Sequence, residues 1–283
     1  AEFLNSVAAT DTYGLYNASM ATDARGGIIQ SGSSGSFTYS VKSGYENMPV
    51  VYVSFYDAVR FANWLENGQP TDAQVAGATE TGSYTLFTDG STTTNVSARS
   101  ANATWVIPTE NEWYKAAYYD PTASGTTNYW LYPTRSDSIP NSRPPNGTDA
   151  NSANFYRNDG APGDFLNDGH AVTGSPSFED TTNYLTDVGS YVLADSYFGT
   201  FDQGGNVSEW NDGVFSEPHR VFRGSHWDNG EFFMQSSIRN GRLPTYATSA
   251  VGFRVAFIPE PSCIAVALGV AALAACVCRQ RRR

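Results

Sequence analysis

Residues 50–65 read VVYVSFYDAVRFANWL, and the change of rhythm inside this stretch sets the expectation for the fold. The first five residues are β-branched, aromatic or small and suit a short strand. Ser54 then stands at an N-cap position with Asp57 three residues on, an acidic form of the capping box. Phe55, Ala58, Phe61, Ala62 and Leu65 recur at helical spacing, which predicts a helix over 55–66 that Gly68 and Pro70 end. A second start of this kind lies at 104–120, TWVIPTENEWYKAAYYD. There Thr109 and Glu112 form a capping box behind Pro108, and Trp113, Ala116 and Ala117 supply the apolar stripe.

Outward from these two helices the pattern weakens. Residues 1–45 are rich in Gly, Ser, Ala and Thr and read mostly as loops. Residues 71–104 are polar and read as a surface insertion with one hairpin strand near Tyr84–Thr88. From 120 to 200 there is almost no helical period, but the density of aromatics argues against disorder, so these are long ordered loops. The runs HRVFRGSHW (219–227) and VGFRVAF (251–257) have strand character and are expected to pair in one small antiparallel sheet.

A chain of 283 residues is ample for one domain with a packed core. With 17 Lys+Arg against 28 Asp+Glu the net charge is −11, which leaves no basic surface for phosphates; no nucleic acid is expected as a partner. The three cysteines, Cys263, Cys276 and Cys278, all follow residue 262. The preceding body therefore holds no disulfide, no thiolate nucleophile and no sulfur ligand for a metal.

The last residues run Pro259-Glu260-Pro261, an uncharged stretch over 262–278, and a basic tail over 279–283. This order predicts a transmembrane helix with the body facing outward. It resembles the PEP-CTERM sorting signal of bacteria, which implies export, membrane anchoring before processing by an exosortase-type enzyme, and then a cell-surface or extracellular location. No initiator Met or leader opens the sequence, so Ala1 is expected to be a processed start or a truncation.

VYVSFYDAVRFANWL, WVIPTENEWYKAA, DQGGNVSEW, VFRGSHWDN, IRNGRLP and VGFRVAF, in this order, resemble the formylglycine-generating enzyme and sulfatase-modifying-factor family. The resemblance covers 1–258 and implies a C-type-lectin-like α+β fold: two helices, a small twisted antiparallel sheet and extensive irregular loops. The family's opening strand is represented only by its trailing end, EFLNSVAA, so the N-terminal strand is expected to be missing.

The family's copper enzymes use two cysteines shortly after a Gly-Gly-Ser-aromatic motif. Here Asn229 stands at the first of these positions, and no soft thiolate exists in the body for copper(I). No catalytic residue and no copper are therefore expected. His170, His219 and His226 lie in separate stretches without metal-ligand spacing.

In Asp202-Gln203-Gly204-Gly205-Asn206-Val207-Ser208-Glu209, two carboxylates flank a Gly turn, a pattern suited to an oxygen-only calcium shell. The resemblance implies one structural calcium held by Asp202, the carbonyls of Gly205 and Val207, and Glu209. It implies a second held by Asn154, the Phe155 carbonyl, Asp180 and the Thr182 carbonyl. Turn capping by the Asn and Asp side chains is the simpler alternative. Arg254, in Gly-Phe-Arg, reads as a buried partner of body carboxylates.

Trp227, Asp228, Asn229 and Arg242 flank the segment of the family's active site and are the candidate ligand-binding residues, suited by ring stacking and amide bonding to sugars. The expectation is an exported, surface-associated, non-catalytic binding or structural protein, stabilised by calcium, with polysaccharide or extracellular matrix as partner. The alternative is a metal-dependent oxidoreductase using non-cysteine chemistry in the same pocket.

Overall fold

The Gly- and Ser-rich opening is not loop. It folds into helix α1 (Glu2–Val7), a short helix α2 (Ser19–Thr22) and a hairpin of β1 (Ile28–Ser31) with β2 (Thr38–Val41). EFLNSVAA is helical rather than the end of a strand, because Leu4, Val7 and Ala8 fall on one helical face and bury against Leu15, Tyr39 and Trp64. This computed structural model describes residues 1–123, 128–158, 160 and 168–259.

VVYVS forms no ladder. Val51 and Val53 are buried, but between them Tyr52 takes φ +60°, which breaks the extended run, and its N–H donates to the Thr248 carbonyl. Helix α3 (Phe55–Glu66) begins at Ser54 with both arms of the capping box formed. It lays Phe55, Ala58, Val59 and Ala62 against Tyr84, Ile107, Trp210, Phe222 and Val251, the main core.

The stretch 71–104 is more than a surface insertion. Strand β3 (Leu86–Asp89) pairs with β4 (Thr92–Val96), while Ala78, Tyr84, Leu86 and Val96 are buried. Glu80 lies inside as well, held by Arg60 of α3 at 2.7 Å. After β5 (Trp105–Val106), α4 (Glu110–Tyr118) starts at Thr109 with a complete capping box and buries Trp113, Ala117 and Tyr118. The described loops that follow carry only two-residue strands: β6 (Asn141–Ser142) with β7 (Ser152–Ala153), and β8 (Tyr156–Arg157) with β9 (Gly169–His170).

The principal sheet has four strands in the order β12-β11-β10-β13. Its longest strand, β10 (Ser208–Ser216), begins inside the segment read as a calcium loop. Strand β11 (His219–Arg223) pairs antiparallel with β10 and with β12 (Asn240–Arg242), while β13 (Val251–Phe253) runs parallel to β10. The two runs expected to pair with each other are thus held apart by β10. Strand β14 (Ala256–Phe257) leaves this sheet to pair with β5. Except for Pro259, the expected sorting signal at 259–283, with its membrane segment 262–278 and basic tail 279–283, lies outside the described residues. Among the described residues no helix is long and apolar enough to cross a membrane.

Candidate functional site

The turn before β10 joins several distant loops. Asp202, Gly205 and Asn206 all adopt positive φ, so the chain reverses tightly and turns its backbone groups to both sides. Gly205 N–H donates to the Gly224 carbonyl at 2.6 Å, and Asn206 N–H to the Asn154 carbonyl at 2.7 Å. The Asn206 side chain takes the Thr186 N–H and the Asn154 amide and donates to the Thr186 carbonyl. Its own carbonyl receives the N–H of Trp227.

Asp202, Val207 and Glu209, three of the first predicted calcium ligands, line one cleft of about 390 Å³ with Val188, Phe201, Phe253 and Arg254. The carboxylates are differently placed. Both oxygens of Glu209 are held by Arg254, at 2.5 and 2.6 Å, and one of them also accepts the indole N–H of Trp113 at 2.6 Å. Arg254 further donates to the Phe201 carbonyl. Burial alone would lower the Arg254 pKa, but the Glu209 charge and hydrogen bonds raise it, so the pairing expected from Gly-Phe-Arg is formed. Asp202 accepts the Gly189 N–H at 2.5 Å; burial pushes its pKa up, against that hydrogen bond and the Arg254 charge.

The second predicted set is divided among other partners. The carbonyls of Asp180 and Thr182 both accept from Nη1 of Arg25, at 2.9 and 3.3 Å, and that guanidinium also binds Asp23. The Phe155 carbonyl accepts from Ala171 N–H and from Ser142 Oγ. Asn154 gives its amide to the Tyr184 carbonyl, and its Oδ1 is buried without a partner.

Calcium needs six to eight convergent oxygens. In the first set Glu209 is paired with a guanidinium, and in the second the Thr182 carbonyl, one of the four ligands, already accepts from Arg25, which also takes the backbone carbonyl of Asp180. Both sets thus have oxygens already engaged by protein donors, while Asn154 Oδ1 in the second is left without one among the described residues.

Of the predicted ligand-binding residues, Trp227 is buried. Tyr184 is stacked on it at 4.9 Å and 6°, Phe178 at 5.9 Å and 20°, and Arg25 lies over it at 5.6 Å. Its indole N–H is spent on the Ser249 carbonyl, so the ring has no face for a sugar. Asp228 is exposed and bonds the buried His170 at Nε2, 2.9 Å. Asn229 is half-buried, and its carbonyl accepts the Tyr156 N–H. Arg242 is exposed on edge strand β12, stacked over Tyr246 and bonded to the Gly241 carbonyl, with partners different from those of the 227–229 loop.

Burial lowers His226 to about 4, against the neighbouring Asp228, so it is neutral at pH 7 and its Nδ1 accepts the Asp228 N–H. Among the described residues no group of three or more His, Cys, Asp or Glu could hold a metal ion. Sequence reasoning missed Arg25, whose only local signal is Asp23 two positions earlier. It also missed the rings of Phe178 and Tyr184, which reach Trp227 only through long loops.

Similar solved structures include the following three. Treponema denticola variable protein 1 is 19% identical, with 78% of this chain and 75% of that chain covered and a TM-score of 0.39. CarF is 18% identical, covering 83% and 76% with a TM-score of 0.42. PvdO from Pseudomonas aeruginosa is 19% identical, covering 75% and 63% with a TM-score of 0.40. No curated protein matches the sequence. The profile of the sulfatase-modifying factor enzyme 1-like domain matches residues 2–258, nearly the whole described chain, and the protein belongs to that family.

Proposed function

We propose that this family member is non-catalytic and acts as an exported, surface-associated binding or structural protein, with polysaccharide or matrix as its partner. The observation that carries the reading is the absence of any cysteine before residue 263, with Asn229 standing where the family's first thiolate would be. Without a thiolate pair copper(I) has no soft ligands, and none of the three histidines supplies a replacement set. The acidic body favours a neutral or cationic partner over nucleic acid. In this reading the loops are tied by Arg25 and Arg254 rather than by calcium, and the C-terminal segment directs export through an exosortase-type enzyme.

Metal analysis and melting of the purified protein test this together. The expected result is no retained copper or iron and the same melting temperature in EDTA as in millimolar calcium. Stoichiometric copper or iron would restore the oxidoreductase. A melting temperature several degrees higher in calcium would return the loops to the ion.

A further inference from the structure

A second cavity, of about 300 Å³, lies at the start of α3, away from the cleft at Asp202. Tyr13, Tyr52 and Tyr56 line it, with Asp57 and Arg60 of α3 and the hydroxyl-bearing turn that opens β4 at Thr92. It stands at the lower end of small-molecule sites, which run from roughly 300 to 1,000 Å³.

Two of its charged side chains are fixed and incompletely used. Arg60, 1% exposed, is clamped by Glu80 at 2.7 and 2.8 Å and by Thr93 Oγ1 at 2.7 Å, and its guanidinium lies 4.4 Å from the Tyr13 ring centre. These bonds use Nε and Nη2; Nη1 donates to no partner among the described residues. Asp57 spends Oδ2 on the Ser54 N–H and hydroxyl, and its Oδ1 accepts from no partner among the described residues. One wall is also strained. Tyr52, an aromatic residue, is held at φ +60°, a conformation that costs on the order of 1–3 kcal/mol and that gathers at ligand sites.

A fixed donor beside a fixed acceptor matches adjacent hydroxyl groups, each of which accepts through one lone pair and donates its own proton. Tyrosine faces suit the apolar C–H side of a sugar ring. Charge decides against the competing class. Glu80 already neutralises Arg60, and Asp57 and the nearby Asp11 leave the surroundings negative, so phosphates and carboxylates are repelled. Burial pushes the Asp57 carboxyl up to about 6, which leaves it ionised, and an acceptor, at neutral pH.

We propose that the cavity between the start of α3 and β4 binds a single neutral sugar ring, with Asp57 and Arg60 bonding neighbouring hydroxyls and the tyrosines covering its apolar face. The proposal gives the binding role a place and a ligand class, and it stands whether or not the protein also holds a metal elsewhere.

The full-length protein in detergent would be titrated with glucose, galactose, mannose and N-acetylglucosamine, read by saturation-transfer NMR and calorimetry. At least one sugar is expected to bind, with affinity falling about tenfold or more in Asp57→Asn, which keeps the capping shape but loses the charged acceptor. Ala247→Trp, which fills the cavity from its other side, should abolish binding. Should Ala247→Trp fail to fold, Asp57→Asn decides. Overturning results are no response to any of the four sugars, or a response that survives in the folded variants. The latter would place sugar binding at another surface, and so would remove this site while sparing the wider binding role.

Discussion

Gly205 shows how much one residue carries. At φ +82° it lies against Asn154, and a Cβ there would come within 2.2 Å of the Asn154 carbonyl oxygen. Both the conformation and the space exclude a side chain, so Gly205→Ala should cost about 2–4 kcal/mol in urea unfolding. Gly199 is a fair control: its φ is +73° but nothing lies within 4 Å of the added atom, so Gly199→Ala should cost only about 1–2 kcal/mol. Equal losses in the two variants would show that the Asn154 contact has no energetic weight. The need for a Gly turn was legible in DQGGNVSEW. That its neighbour would be Asn154, with the ligand expected for a different ion, was not, because the contact joins loops far apart in sequence.

The two longer helices were legible because their ends are written locally. Both capping boxes form as the spacing predicts. Thr109→Ala should cost about 1 kcal/mol, measured by denaturant midpoint, and no change would mean the cap is idle. The caps respond oppositely to acid. For Glu112, burial raises the pKa but the Arg99 and Thr109 hydrogen bonds outweigh it, so its contribution is present above the ordinary carboxylate value and is lost as pH falls. Asp57 is raised from 3.8 to about 6, so the folded state holds its proton more tightly than the unfolded chain. Its contribution therefore declines as pH rises from about 4 to about 6. Asp57→Asn should remove that decline, and an unchanged stability profile across the window would contradict the assignment.

Strands were less legible, for physical reasons. The first half of β10, Ser208 to Asn211, is buried residue after residue, so the two-residue alternation that announces a half-buried strand is missing. VVYVS has the composition of a strand, and Val51 and Val53 are inside, but a single left-handed residue between them prevents a ladder. Hydrophobic pattern reported burial at Val51 and Val53 but not at the polar Ser208, Glu209 and Asn211, and in neither place did it report pairing.

At the scale of the molecule, the family was readable from the order of short motifs, whereas the ties that hold the loops were not. Arg25 meets Asp180 across 155 residues, and Trp113 meets Glu209 across 96. No window of sequence contains both partners of such a pair. The candidate site shared this fate. The cleft formed around Asp202, Val207 and Glu209, but Trp227 turned inward because Phe178 and Tyr184 cover it.

The placing of Trp210 has a consequence for how the chain is made. Its indole N–H reaches back 157 residues to the Val53 carbonyl, and its ring meets Phe55 at 6.0 Å, while Val251 completes the same core. During synthesis α3 therefore has only the Tyr84–Ile107 part of its core to pack on, and its apolar face stays incompletely covered until the last strands arrive. A fragment ending at residue 200 should show no cooperative melting transition, and a sharp one would refute this order. Nascent chain of this kind stays pliable, and open to chaperones, until nearly all of the body has been translated.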